Sequence, residues 1–403
     1  MDYRIIEGNC IEGMRRLEGQ SVNCVVTSPP YFGLRDYGHD GQIGLEETPD
    51  AYLAKLVEVF REVRRILRDD GTLWLNLGDS YMSAKNCAPP PQTVANGNAR
   101  SMPTDFIPAN RKDQDGLKTK DLIGIPWRVA LALQADGWYL RQDIIWSKPN
   151  PMPESVADRC TKSHEYIFLL SKKPHYYYDH EAVKEPARNW GTRDRTEMRD
   201  GTTDPKLKHH GLQGKEWEEN PLKNKRSVWT VNAKGYKGAH FAVYPEELVT
   251  PCVLAGTSKH GCCSNCGAPY EQVVNHPGNP AGILGHKGVP NTANTSGSSG
   301  KKGKPVVHTE NGVRLKKGHN PTQYSKSEPT DEWTPTCNCK DTSIVPCTVF
   351  DPFTGSGTTA VVALKNGRNY IGTELNPEYI KIAEARIKES IPQTLEEILN
   401  EQV

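Results

Sequence analysis

Four segments of this 403-residue sequence carry side chains whose types and spacing suit chemistry. The first is Ser28-Pro29-Pro30-Tyr31. A serine hydroxyl and a proline carbonyl are hydrogen-bond acceptors, and proline has no N–H to compete with them. Two such acceptors suit an amine attached to an aromatic ring. Its lone pair is delocalised, so the amine must be drawn toward sp³ geometry before it can attack. The Tyr31 ring can stack on the same aromatic. Alone, this tetrapeptide is equally well a proline-rich turn.

The second segment is Asp351-Pro352-Phe353-Thr354-Gly355-Ser356-Gly357-Thr358-Thr359, placed after an apolar run and before a helical one. Glycines there let the backbone turn tightly and approach a ligand without a Cβ in the way. Glu374 ends the next apolar run, where a carboxylate can accept both hydroxyls of a ribose. No lysine follows the turn directly, which argues against a nucleoside triphosphate. An ordinary strand-to-helix turn would explain the glycines but not two acidic residues at neighbouring strand ends.

The third is His260-Gly261-Cys262-Cys263-Ser264-Asn265-Cys266-Gly267, with Cys337-Asn338-Cys339 far downstream. Two close thiol pairs suit tetrahedral zinc. Cys263, Cys266, Cys337 and Cys339 are the expected ligands, with Cys262 and His260 as substitutes. Four protein ligands leave no open position, so the ion would be structural. The competing reading is free thiols in a loop. The fourth segment, 175–235, gathers His175, Tyr176, Tyr177, Tyr178, Arg188, Trp190, Arg193, Arg195, His209, His210, Lys223, Lys225, Arg226 and Trp229. Basic groups neutralise phosphates, and aromatics wedge where a base has been extruded. Residue by residue, packing on the core is at least as good an account.

These segments need elements to hold them. Val22–Thr27 is an apolar run suited to a buried strand. Asp50–Asp69 has an apolar face of Leu53, Leu56, Val57, Phe60, Val63 and Leu67, as an amphipathic helix requires. Gly71 is expected to follow that helix, and Thr72–Leu77 to be the next strand. Ile125–Ala135 reads as a helix, and Trp138–Trp146, Glu165–Leu170 and Val345–Phe350 as strands. The tail continues as Gly-rich turn, helix, strand and a last helix capped by Asn376 and Pro377. Residues 86–120 are polar and proline-rich, and 275–330 are rich in Gly, Ser, Asn and Lys, so both are expected to be loop or linker.

With 36% hydrophobic and 25% charged residues the chain can build a core, although it is more polar than average. No run of eighteen apolar residues suggests a membrane span, and the start MDYRIIEGNC lacks a signal-peptide layout, so a cytoplasmic protein is expected. Its eleven cysteines are odd in number and unevenly spaced, which does not suit a secreted disulfide framework. The net charge of +1 hides an asymmetry: Lys and Arg outnumber Asp and Glu by 16 to 11 over 160–240 and by 10 to 6 over 257–345. A basic middle on an acidic body fits a polyanionic partner.

Taken together, Ser28–Tyr31 and Asp351–Thr359 resemble the paired motifs of the β-class amino DNA methyltransferases, in which the catalytic motif precedes the cofactor motif. The match is strongest over 3–37 and 346–390 and covers about half the chain. Asp143–Ser171 resembles the segment that helps line the target-base pocket, and His240–Leu248 the start of a helix on the cofactor side. The resemblance implies a Rossmann-like α/β fold with a seven-stranded, mostly parallel sheet. It implies S-adenosylmethionine as methyl donor, bound by Asp351, Phe353, Gly355, Gly357, Glu374 and the Asn9-Cys10 segment. Pro352, Ser356, Thr358 and Asn376 complete that candidate set. Asn9 stands where the family often has Asp. A sulfonium methyl is already activated, so catalysis by Ser28, Pro29, Pro30 and Tyr31 would be positioning and desolvation.

Ser at the first motif position resembles the N4-cytosine enzymes, whereas N6-adenine enzymes more often carry Asp or Asn there. The expected activity is therefore site-specific N4-cytosine methylation of flipped bases in duplex DNA, with N6-adenine as the rival. C5 chemistry would need a nucleophilic Cys, and Cys252 and Cys347 read better as small buried residues. Protein or RNA methylases usually place the cofactor motif first. An inactive zinc-ribbon DNA-binding protein is the alternative from outside catalysis. The expected layout is a catalytic half at 1–174, a target recognition region at 175–239, and a core helix at 240–256. A zinc-binding insertion at 257–345 and a cofactor half at 346–403 complete it. The expected partners are double-stranded DNA and, in a restriction–modification setting of a bacterial or phage-infected cell, a cognate nuclease. The chain itself would be a monomer or homodimer.

Overall fold

The computed structural model describes residues 1–34, 36, 38–82, 116–187, 222–234, 243–275, 328–340 and 343–391. It divides into two compact units, 1–270 with 335–403, and 271–334. In the smaller unit the described residues lie in two paired strands, Tyr270–Asn275 and Glu328–Pro335, joined also by a Gln272 Nε2 to Thr330 carbonyl bond of 2.7 Å.

Among the described residues, eight strands build the sheet of the larger unit. They are β1 (Tyr3–Glu7), β2 (Val22–Thr27), β3 (Leu67–Leu77), β4 (Tyr139–Ser147), β5 (His164–Ser171), β6 (Val228–Thr230), β7 (Thr348–Asp351) and β8 (Asn369–Glu374). Their order is β1-β8-β7-β2-β3-β5-β4-β6. Only β5 runs antiparallel to its neighbours; the remaining pairs are parallel. The link from β4 to β5 contains no helix, and two strands joined without a crossover element pair antiparallel. The sheet exceeds the seven strands expected by one, the three-residue edge strand β6, too short to register as an apolar run.

Helices α1 (Cys10–Arg15), α2 (Pro49–Ile66) and α3 (Ile125–Ala135) contribute to one hydrophobic cluster; α4 (Glu246–Gly256) and α5 (Thr358–Lys365), with Ile387 of α6 (Pro377–Ser390), contribute to a second. The strands alternate between the two as their period requires: Val25, Leu73, Leu75 and Phe350 join the first cluster, Cys24, Val26, Trp74 and Val349 the second. Helix α2 starts where Thr48 Oγ1 accepts the Ala51 amide at 3.1 Å, with Pro49 in the first turn. It buries Tyr52, Leu56, Val59, Phe60, Val63 and Ile66.

That helix ends three residues before Asp69, and β3 begins at once. Gly71 therefore lies inside β3 rather than after the helix. Its role is close packing: a Cβ there would fall 2.5 Å from Leu67 Cδ1 and 2.7 Å from the Asn23 carbonyl. The run expected over Val345–Phe350 is split, because Ile344–Val345 pairs with Cys262–Cys263 before β7 starts at Thr348. Helix α3 and strand β2 have the expected limits. The expected loops lie largely outside the described residues, at 83–115 and 276–327, as do 188–221 of the basic region and His240 with Phe241. No helix among the described residues is long and apolar enough to cross a membrane.

Candidate active site

In the parallel part of the sheet, β1, β8, β7, β2 and β3 all end on the same edge. The crossovers β2–α2–β3 and β7–α5–β8 leave in opposite directions, so a crevice opens between β7 and β2, where such sheets bind ligands. A cavity of about 540 Å³ lies there. Ser28, Pro29, Pro30 and Tyr31 line one side, and Pro352, Phe353, Gly355, Ser356, Thr358, Glu374 and Asn376 the other, with Asn9 and Cys10 beside them. Segments over three hundred residues apart thus share one pocket.

On the first side the side chains form a chain of hydrogen bonds. Tyr31 OH donates to Glu165 Oε2 at 2.8 Å. Lys148 Nζ pairs with the other oxygen of Glu165 and lies 4.1 Å from the Trp146 ring centroid. Asn76 Nδ2 donates to the Tyr166 carbonyl at 3.1 Å, which fixes Oδ1 toward the pocket as an acceptor. Ser28 Oγ donates to that Oδ1 at 3.2 Å. The serine proton is thereby committed, and its lone pairs are left to accept. The Pro30 carbonyl is committed too, to Tyr52 OH at 2.8 Å. Burial, and then the charge of Glu165, push the Tyr31 phenol well above its ordinary pKa, so it stays protonated. Gly78 makes room for the ring, since a Cβ there would sit 2.5 Å from Tyr31 Cε2.

Asn76, Glu165 and Lys148 were not singled out from the sequence. The available signal was a polar residue near the end of each apolar strand, in TLWLNL and in HEYIFLL, where burial without a partner would be costly.

The second side works through backbone. Gly355 and Gly357 have φ of +53° and +79°, values that glycine adopts without strain. Gly357 also lets α5 approach α6, for a Cβ would fall 2.9 Å from Ala383 Cβ. Glu374 accepts from Gly355 N at 2.7 Å and Asn376 N at 2.9 Å, so each oxygen is oriented and keeps capacity for a ligand hydroxyl. Burial raises its pKa. Asn9 caps α1 by accepting from Ile11 N at 2.9 Å. Asp351 and Gly357 do not line the cavity. Asp351 lies beneath it, fully buried, its carboxylate accepting from Thr27 Oγ1 (2.7 Å), Phe353 N (2.9 Å), Thr359 Oγ1 (2.8 Å) and Tyr244 OH (3.0 Å). It thus ties together β2, the Gly-rich turn, α5 and the segment before α4. Burial still pushes it above the usual carboxylate range.

Cys10 is the cysteine at the cavity, and burial raises its thiol to about 12, so it supplies no thiolate nucleophile at neutral pH. Cys252 and Cys347 are both buried, as expected of small core residues. In the basic region, Tyr177 and Trp229 are buried, and Tyr178 stacks on Trp74 with centroids 6.3 Å apart. Lys225 lies 4.9 Å from the Trp229 ring, and Arg226 projects outward to pair with Glu185. Tyr177, Tyr178 and Trp229 pack inward, while Lys225 and Arg226 lie nearer the surface.

Away from the cavity, the sulfurs of Cys263, Cys266, Cys337 and Cys339 all lie within 4.8 Å of one another. Cys262 turns elsewhere, toward the Pro346 carbonyl at 3.7 Å, and His260 packs on Tyr270.

A doubly wound α/β sheet with a ligand crevice at its switch point, split between a hydrogen-bonded acceptor wall and a Gly-rich turn, defines a Rossmann-like α/β protein. The sequence comparisons narrow this: residues 22–264 and 340–385 match the family model described as DNA methylase. The chain belongs to this family of N6- and N4-DNA methyltransferases. It is 37% identical over 384 residues to the type II methyltransferase M.Cfr9I of Citrobacter freundii, covering 95% of this chain and 87% of that one. It is 49% identical over 258 residues to M.SmaI of Serratia marcescens, covering 64% of this chain and 76% of that one. Among solved structures, the cytosine-N4-specific PvuII DNA methyltransferase aligns over 96% of this chain and 86% of that one, with 13% identity and a TM-score of 0.49.

Proposed function

We propose that this chain transfers the methyl group of S-adenosylmethionine to N4 of a cytosine flipped out of duplex DNA. The observation that carries the choice of base is at Ser28. Its hydroxyl proton is directed to Asn76, so the motif presents a hydroxyl lone pair where N6-adenine enzymes more often present the carboxylate or amide of Asp or Asn.

The second wall fits the cofactor: a Gly-rich turn at a strand end, and a carboxylate held by two amides, suit an adenosine with a ribose diol. When bound, S-adenosylmethionine supplies a methyl group already activated on a sulfonium. The chain's residues do the rest. Ser28 Oγ and the Pro29 carbonyl accept the two amine protons and draw the nitrogen toward tetrahedral geometry. The Pro30 carbonyl already accepts from Tyr52 OH, which anchors the motif's backbone to α2. Tyr31 stacks on the base, its ring fixed by the bond from its hydroxyl to Glu165. Asn76 cannot take up a proton, so Ser28 positions the amine rather than relaying its proton, which passes to solvent. The mostly apolar lining limits the solvent around the reacting atoms, while the open side of the cavity lets the released proton reach water. The basic residues of the 175–239 region would engage DNA phosphates. The type II relatives support a restriction–modification role with a cognate nuclease that cuts the same site.

The test is to incubate duplex DNA with methyl-labelled S-adenosylmethionine and digest it to nucleosides. Label in N4-methylcytosine is expected. Label only in N6-methyladenine would assign the rival base, and cofactor binding without transfer would point to an inactive binding protein.

A further inference from the structure

We propose that Cys263, Cys266, Cys337 and Cys339 bind one zinc ion, and that this ion clamps the start of the central strand β7. Methyl transfer makes no use of these thiols, and they lie outside the cavity.

Three observations carry the assignment. First, four sulfurs converge to within 4.8 Å of one another. A tetrahedron of thiolates about 2.3 Å from zinc has sulfur–sulfur edges of about 3.8 Å, so modest closure completes it. The set is all sulfur, which selects zinc over oxygen-seeking cations. Second, the Cys263–Cys266 turn is built as a metal knuckle. Gly267 N donates to the Cys263 carbonyl at 2.7 Å, and Gly267 has a φ of +70° that turns the chain back. Third, the other thiols nearby are committed elsewhere: Cys262 to the Pro346 carbonyl, Cys347 to the Ser258 carbonyl. Four of six cysteines in this region face one point, and the other two face away.

The surroundings show what the ion would hold. The Cys263 limb pairs with Ile344–Val345, and Ser264 N donates to the Ser343 carbonyl at 2.9 Å. The Cys337 limb is held by Thr336, whose N and Oγ1 both donate to the Pro269 carbonyl, at 3.1 and 2.8 Å. The knuckle itself is fastened to the sheet. Asn23 of β2 donates from Nδ2 to the Gly267 carbonyl at 2.9 Å and accepts the Thr348 amide at 2.9 Å, while Arg68 of β3 donates to the Cys266 carbonyl. Thr348 opens the strand that ends at Asp351 and the Gly-rich turn. The clamp therefore closes the point where the chain leaves for residues 271–334 and returns, and sets the register of the strand carrying the cofactor turn.

The test uses the full-length protein purified without chelator and with zinc supplied. Metal analysis should find one zinc per chain, and titration with a mercurial reagent should release it as four thiols react. Cobalt added to the apoprotein should give thiolate charge-transfer bands and the intense d–d bands of tetrahedral S₄ coordination. Removing zinc should lower the unfolding temperature and weaken S-adenosylmethionine binding at least severalfold, with restoration on adding zinc back. Cys337→Ser with Cys339→Ser should abolish the bound zinc, while Cys160→Ser, at an exposed cysteine outside the set, should keep it. If the double variant does not fold, the cobalt spectrum of the unsubstituted apoprotein decides. Wild-type protein with substoichiometric zinc and no tetrahedral cobalt spectrum would overturn the site, as would disulfides among the four thiols under reducing conditions. Unchanged cofactor affinity and melting temperature on zinc removal would overturn the clamp.

Discussion

The two walls of the cavity solve different problems by different means. The acceptor wall is a run of side chains, Ser28, Asn76, Tyr31, Glu165 and Lys148, each oriented by the next. The donor wall is a backbone turn steadied by two carboxylates, the buried Asp351 beneath it and the half-buried Glu374 beside it. A side-chain network can aim lone pairs at an amine that reacts. A backbone turn can accept a cofactor closely but has little to vary. The comparison teaches that substitutions on the first wall should change turnover, and those on the second cofactor affinity or folding.

The largest expected effect is from Ser28→Ala. It should lower kcat by about 10²-fold or more, with the dissociation constant for S-adenosylmethionine unchanged. Weakened cofactor binding with normal turnover would erase the distinction between the walls. Next, Glu374→Ala removes an oriented carboxylate, and with it the two bonds to a ribose proposed above. Calorimetry should show the cofactor dissociation constant rising by about 10- to 100-fold, with kcat at saturation within a few fold. Asn76→Ala should cost about tenfold in kcat, because Ser28 would then lose the partner that fixes its proton. A change in cofactor affinity instead would place Asn76 on the wrong wall. Smallest in turnover is Gly357→Ala, which forces a side chain into φ +79° and against Ala383. Thermal unfolding should show a loss of about 1–3 kcal/mol, with turnover per folded molecule nearly unchanged.

The same division explains what could be read from the sequence. The donor wall was legible because its parts are contiguous: strand, Gly-rich turn and helix follow one another from Thr348 to Lys365. Asp351 was legible as part of the turn but not as its support, since its donors Thr27 and Tyr244 come from distant segments. The acceptor wall was legible only at Ser28–Tyr31. Asn76 and Glu165 lie 89 residues apart and meet because β3 and β5 are neighbours, a pairing that no local pattern states. The thiol quartet was legible from spacing, as two close pairs. Its attachment to β2 and β3 through Asn23 and Arg68 was not. Gly71 was misplaced because a glycine after an apolar helical face signals a helix end, whereas here the packing of Leu67 against the strand demanded the missing Cβ.

Strands β7 and β8 are the last of the sheet to be translated, yet they stand between β1 and β2. Until β7 has been made, β2 presents an unpaired, wholly buried-type edge on one side, and β1 has no neighbour until β8 follows. Roughly the first 350 residues must therefore wait in a partly assembled state, in which apolar strands invite aggregation and chaperone binding. A chain truncated before Thr348 would leave those edges unpaired, and the cofactor crevice is complete only once β7 and β8 have joined the sheet.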